Sequence, residues 1–173
     1  MALSILKKGS KLPFGTFTYI PYDGNKCSFN GEGVPVEVTT DDWKNLKVVL
    51  FSVPGAFTPT CSSRHLPDVI NHYEELKAKN VDLVAFVAAN DPFVMAAWGD
   101  AFQARDKIHF LTDTDANFSH SIGYSIDLKT QGFGIRTGRY AIVVDRGVVI
   151  YAEVEKDPNI VTTSGVKAVL ANL

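Results

Sequence analysis

Cysteine is scarce in this chain: Cys27 and Cys61 are the only two in 173 residues. That is too few for a disulfide scaffold and a poor set for zinc, and it favours a reducing compartment, so a cytoplasmic location is expected. No Cys-x-x-Cys occurs, because Ser62-Ser63-Arg64 follows Cys61, which excludes a dithiol oxidoreductase. No run of 18 apolar residues is present, and Met1 to Lys11 lacks a signal-peptide core. Neither a membrane span nor secretion is therefore expected. Charge of neither sign dominates, with a formal net charge of −2, which removes the electrostatic footprint of a nucleic-acid or anionic-membrane partner. The glycines of Gly132-Phe133-Gly134 and Gly138 fit neither the dinucleotide fingerprint nor the phosphate-binding loop with its lysine. They read as a bent loop delivering Arg139. None of His65, His72, His109 and His120 has convincing metal-ligand spacing. Repeats, low-complexity tracts and Ser/Pro-rich linkers are absent too, so residues 1–173 are expected to form one domain.

What is present is an apolar chain, 46% hydrophobic, large enough to bury a sizeable core. Phe17 to Ile20 and Val34 to Val38 read as short strands, the second demoted to a sheet edge by Pro35. Thr40 is a candidate N-cap for a short helix through Trp43. Strands at 47–53, 82–89 and 108–112 then alternate with helices at 61–79, 91–104 and 115–122, which argues for an α/β fold with a parallel sheet segment. Asp91 and Asp113 look like cap and turn residues. A hairpin turns at Asp145-Arg146-Gly147, and a closing helix runs from Ser164 to Leu173 with Thr163 or Ser164 as its cap.

The segment Pro54-Gly55-Ala56-Phe57-Thr58-Pro59-Thr60-Cys61 separates a buried strand from an amphipathic helix whose apolar positions are Leu66, Val69, Ile70, Tyr73 and Leu76. Cys61 therefore falls in a first helical turn, where unpaired N–H groups and the helix dipole favour a thiolate. Thr58 can reach back to donate to the sulfur or to a substrate oxygen. Pro54 and Pro59 stiffen the loop, and Phe57 is expected to shield the sulfur from water. Pro67, inside the helix, should loosen its first two turns. The alternative is that Cys61 is a small buried core residue. Arg139, ahead of the apolar strand Tyr140 to Val144, would sit at a sheet end within reach of the strand 47–53 end; its alternative is a surface ion pair. Arg136 reads as a solvated loop residue. His65, four residues after Cys61, invites a Cys-His pair, but its expected role is to pack beside the site or order the helix. A cysteine phosphatase loop would need an arginine where Pro67 stands.

The string Pro54 to Cys61 resembles the active-site signature of the peroxiredoxins, in particular the atypical branch related to peroxiredoxin 5. Arg64-His65-Leu66-Pro67, Asn90-Asp91-Pro92-Phe93-Val94 with Trp98, Asp113-Thr114-Asp115 and Gly138 to Val144 extend the resemblance along nearly the whole chain, most closely to fungal members. It implies a thioredoxin-like fold with a central mixed sheet flanked by helices and an N-terminal extension. It also implies a thiol-dependent peroxidase acting on hydrogen peroxide and alkyl hydroperoxides, with Cys61, Thr58, Arg139 and Pro54 as the catalytic set and no metal, haem or flavin cofactor. Cys27, in a polar segment expected to be exposed, would be the resolving cysteine of a homodimer, as in some fungal relatives; alternatively it is incidental and a small thiol resolves Cys61. Thioredoxin or a glutathione/glutaredoxin system would supply electrons. The rival from another class is a peroxide sensor that oxidises partner proteins. Ala171-Asn172-Leu173 distantly resembles the peroxisomal Ser-Lys-Leu address, though an ordinary helix end is the simpler reading.

Overall fold

A computed structural model describes residues 5–24 and 33–173; Cys27 lies outside the described residues. Nine strands are formed among them: β1 (Thr16–Tyr19), β2 (Val36–Thr39), β3 (Lys47–Ser52), β4 (Leu83–Ala88), β5 (His109–Thr112), β6 (Ser125–Leu128), β7 (Gly134–Thr137), β8 (Tyr140–Asp145) and β9 (Val148–Val154). Seven make one mixed sheet in the order β2-β1-β5-β4-β3-β8-β9, with β6 and β7 pairing as a separate hairpin. β3, β4 and β5 are parallel, whereas β8 runs antiparallel to β3.

The central strands are buried on both faces, which is why β3 reads as a continuous apolar run rather than an alternating one. Val49, Phe51 and Val53 face one core layer with Leu66, Leu76, Met95, Trp98, Val166 and Val169. These come from the segment after Cys61, which includes α1 (Leu66–Asn71) and α2 (Tyr73–Ala78), and from α3 (Pro92–Ala101) and α5 (Val166–Leu170). Val48 and Leu50 face a second layer with Phe17, Trp43, Phe118 and Tyr140, covered by a 3-10 turn at Thr40–Trp43 and by α4 (Asn117–Ser121). The N-terminal stretch closes the β9 edge, Gly9 N–H donating to the Val149 carbonyl and Val149 N–H to the Ser10 carbonyl. Among the described residues, no helix is long and apolar enough to cross a membrane.

The alternation of strands and helices with a parallel segment, the antiparallel β8–β9 hairpin, β2 at the sheet edge, and Asp91 and Asp113 as caps match the sequence expectations. Several local details differ. Thr39 rather than Thr40 caps the 3-10 turn, because it completes a reciprocal capping box with Asp42. Gly165 caps α5, since the Ser164 hydroxyl is occupied with Glu155. The 132–138 segment is not wholly loop: β7 pairs with β6. The helix expected at 61–79 is three pieces, a π turn at Cys61–His65 followed by α1 and α2.

Candidate active site

The antiparallel β3–β8 pair places the site. Ser52 is opposite Tyr140, so the exit of β3 and the entry of β8 meet at one end of the sheet. Side chains alternate along a strand. Tyr140 and Ile142 face the second core layer while Ala141 and Val143 face the first, and the same alternation sends Arg139 toward the layer holding Cys61. Gly138 makes the approach possible: its N–H donates to the Tyr124 carbonyl at 2.7 Å, and a Cβ there would lie 2.5 Å from that oxygen.

Beyond β3 the loop is tied down residue by residue. Val53 O accepts from the Thr137 hydroxyl at 2.7 Å, and Ala56 N–H donates to Asn90 Oδ1 at 2.9 Å. Phe57 turns the chain in a left-handed conformation (φ 61°), uncommon for a bulky residue. Its ring is 54% exposed and does not line the cleft over Cys61, so it does not provide the expected shielding; the positive φ carries it outward. The Thr58 hydroxyl donates to the Gly55 carbonyl at 2.7 Å. A carbonyl can only accept, so in this arrangement Thr58 Oγ1 offers a lone pair to the cleft instead of the expected proton.

Cys61 is 1% exposed and opens the π turn, in which Leu66 N–H reaches back to the Cys61 carbonyl. Pro67 lacks the N–H that would bond Ser63 O in an α-helix, which fits the loosening expected there. Arg139 is 2% exposed and makes three directed contacts: Nη2 to Cys61 Sγ at 3.2 Å, Nη1 to His65 Nδ1 at 3.1 Å, and Nε to the Pro158 carbonyl at 2.7 Å. The surface ion-pair alternative for Arg139 is thus overturned.

His65 is fully buried, and burial first, then the Arg139 charge, pushes its pKa down to about 3. It is therefore neutral. Nε2 lies 2.9 Å from the Ser164 carbonyl, which only accepts, so the proton sits on Nε2 and the Nδ1 lone pair receives Arg139. With that lone pair engaged, His65 cannot serve as base for Cys61; it aims the guanidinium. Trp98 Nε1 donates to the Ser62 hydroxyl at 3.0 Å, holding the turn from the other side.

A cleft of about 180 Å³ opens over the sulfur, lined among others by Pro54, Thr58, Cys61, Phe133, Arg139 and Pro158. Four expected residues, Pro54, Thr58, Cys61 and Arg139, thus converge. Arg136 is not a freely solvated loop residue: it belongs to β7, its Nε donates to Phe133 O at 2.7 Å, and its guanidinium lies over the Phe133 ring. It braces the cleft wall without reaching the sulfur. Sequence reasoning missed the segment 155–164, whose carbonyls hold Arg139 and His65; only its turn-forming Asp157-Pro158-Asn159 marked it.

Comparison with known proteins agrees with this geometry. The family pattern Redoxin matches residues 7–170. Peroxiredoxin Pen c 3 of Penicillium citrinum is 43% identical over 171 residues, covering 97% of this chain and 99% of that one. A protein of Lipomyces kononenkoae named as a peroxisomal peroxiredoxin is 45% identical over 159 residues, covering 91% and 94%. Reduced Prx3 of Vibrio vulnificus, solved in complex with hydrogen peroxide, superposes with a TM-score of 0.83 at 40% identity, covering 96% and 98%.

Proposed function

Because this chain belongs to the Redoxin family and is a peroxiredoxin, a thiol-dependent peroxidase with the thioredoxin-like fold, we propose that Cys61 is its peroxidatic cysteine, acting on hydrogen peroxide and alkyl hydroperoxides. The observation that carries this is the 3.2 Å contact between Arg139 Nη2 and Cys61 Sγ at the floor of a cleft edged by Thr58.

A guanidinium hydrogen-bonds the sulfur directly, a contact that favours the nucleophilic thiolate form. A peroxide entering the cleft places its O–H against the Thr58 lone pair and one oxygen in line with the sulfur. The S–O bond forms as the O–O bond breaks, giving Cys61 sulfenic acid and a hydroxide or alkoxide that takes up a proton to leave as water or alcohol. Three of the five Arg139 N–H donors are engaged. The Nη2 group that contacts the sulfur carries a second hydrogen, which the mechanism uses to stabilise charge on the departing oxygen. Pro54 shapes the wall and contributes no N–H that would compete for the substrate.

Cys27 then attacks the sulfenic sulfur, releasing water and forming a disulfide, and a thioredoxin or glutaredoxin dithiol reduces it. Two cysteines in the chain leave Cys27 as the internal candidate, acting across a homodimer. The Vibrio protein in complex with hydrogen peroxide supports the substrate class. The cytoplasm is the proposed compartment; the peroxisome remains the alternative suggested by the Lipomyces relative. Coupled turnover with hydrogen peroxide, tert-butyl hydroperoxide and cumene hydroperoxide, each with thioredoxin or glutathione/glutaredoxin, tests the reading. Sustained reductant consumption is expected with at least one pair, and one stoichiometric oxidation with no turnover under any pair would contradict it.

A further inference from the structure

Arg139 carries a permanent charge in the interior, yet among the described residues it meets a carbonyl, an imidazole and the thiol rather than a carboxylate. Two carbonyls organise it: Pro158 O takes its Nε, and Ser164 O fixes the tautomer of His65, which takes its Nη1. Both belong to the segment between β9 and α5. The nearby Asn159 carbonyl accepts from the Thr60 hydroxyl at 3.3 Å, so one loop touches the arginine, the histidine and the turn bearing the cysteine.

That loop is folded around a single carboxylate. Glu155 is buried, 9% exposed, and accepts from Thr162 N–H, Thr162 Oγ1, Ser164 N–H and Ser164 Oγ. Its own N–H donates to the Arg139 carbonyl at 2.8 Å. Burial works to raise its pKa, but the combined donors from Ser164 and Thr162 outweigh burial and hold the carboxyl below its ordinary value. A carboxylate paired directly with Arg139 would compete with the thiolate for the guanidinium. Set behind the loop, it instead orders the carbonyls that hold the arginine.

We infer that Glu155 is a positioning residue for the peroxidase reaction: by closing the 155–164 loop on its carboxylate it presents the Pro158 and Ser164 carbonyls that aim Arg139 at Cys61 Sγ. The inference rests on the proposed roles of Cys61 and Arg139. Its test compares Glu155→Ala, Glu155→Gln, Arg139→Met and the double variant Glu155→Ala/Arg139→Met. For each reduced protein, stopped-flow fluorescence gives the second-order rate with hydrogen peroxide, and iodoacetamide alkylation gives a pH profile, both well below the melting temperature. Glu155→Ala is expected to slow peroxide oxidation about tenfold and to move the alkylation midpoint upward, in the direction of Arg139→Met. Glu155→Gln should stay within about threefold, because its amide oxygen can accept both backbone N–H groups while its NH2 donates to a turned Thr162 hydroxyl. The double variant should match Arg139→Met alone, since the two act through one group. A folded Glu155→Ala with wild-type rate and profile, or an additive double variant, overturns the inference. If Arg139→Met itself runs at the wild-type rate, the reading of Arg139 fails instead. Should Glu155→Ala not fold, Thr162→Val/Ser164→Ala strips both hydroxyls from the carboxylate, and a wild-type rate and profile there would overturn the inference equally.

Discussion

At the scale of single residues, the site works because one buried group stays charged and its neighbour stays neutral. In the proposed reaction the Arg139 cation stabilises the attacking sulfur, and His65 must remain neutral for its lone pair to receive Arg139. Arg139→Met should therefore slow peroxide attack on Cys61 by tenfold or more, since each tenfold corresponds to about 1.4 kcal/mol of lost stabilisation. Arg136→Met, which removes the bracing of Phe133 and a long 3.5 Å bond from Nη1 to the Pro54 carbonyl, should cost less than about threefold in the same stopped-flow assay; equal losses would mean that the two arginines are misassigned. His65 also links stability to pH. Its pKa is near 3 in the folded chain against an ordinary 6.5, so between those values the unfolded chain binds a proton that the folded chain refuses. Stability is then complete above pH 6.5 and declines as pH falls toward 3. Lowering the pH from 6.5 to 5 should remove about 2 kcal/mol of unfolding free energy in urea titrations. His65→Gln should flatten most of that slope; an unchanged slope would show that other groups cause it.

At the scale of elements, the antiparallel β3–β8 pair fixes where Arg139 stands, and the π turn at Cys61–His65 is the part that the proposed resolving step would unwind. Cys61 is 1% exposed, and a disulfide needs Cα atoms within about 7 Å, so pairing with Cys27 calls for unwinding of the turn at Cys61 or movement of the Cys27 segment, and Pro67 favours the first. Pro67→Ala restores a helical N–H and should stiffen the turn. We expect the first oxidation to change less than about threefold and disulfide formation to slow several-fold, measured as the two successive fluorescence phases; equal slowing of both phases would contradict a role for unwinding. The strand–loop–helix context of Cys61 and the place of Arg139 at a sheet end ahead of an apolar strand were legible in the sequence, because strand runs, prolines and helix starts are local signals. That His65 packs beside the site was legible too, but its bonding partners and the 155–164 loop were not. The His65 bonds to Ser164 and to Arg139 span 99 and 74 residues, and nothing local marks Glu155 as the acceptor that closes the loop. The break at His72 between α1 and α2 was hidden for a similar reason: the apolar spacing continues through it, while the His72 ring bonds Asp68 O at 2.7 Å and the backbone leaves the helical region.

At the scale of the whole molecule, Pen c 3 aligns in sequence over 97% of the chain, and the Vibrio Prx3 superposes over 96% of it, so the similarity extends well beyond the segment around Cys61. What the molecule does after the first oxidation depends on a second thiol. One equivalent of peroxide should give a Cys27–Cys61 disulfide between two subunits, seen as a covalent dimer on non-reducing electrophoresis and abolished by Cys27→Ser. A monomeric band with an internal Cys27–Cys61 bond would replace the intersubunit geometry, and full thioredoxin-dependent turnover by Cys27→Ser would make Cys27 a bystander. The claim beneath all of these is that the peroxide oxygen is transferred to the Cys61 sulfur. Cys27→Ser protein, treated with one equivalent of hydrogen peroxide in the presence of a sulfenic-acid trap and mapped by mass spectrometry, measures that directly. The account predicts a stoichiometric adduct on Cys61, formed at least tenfold more slowly when Arg139→Met is added; peroxide consumption with no adduct on Cys61 would contradict it.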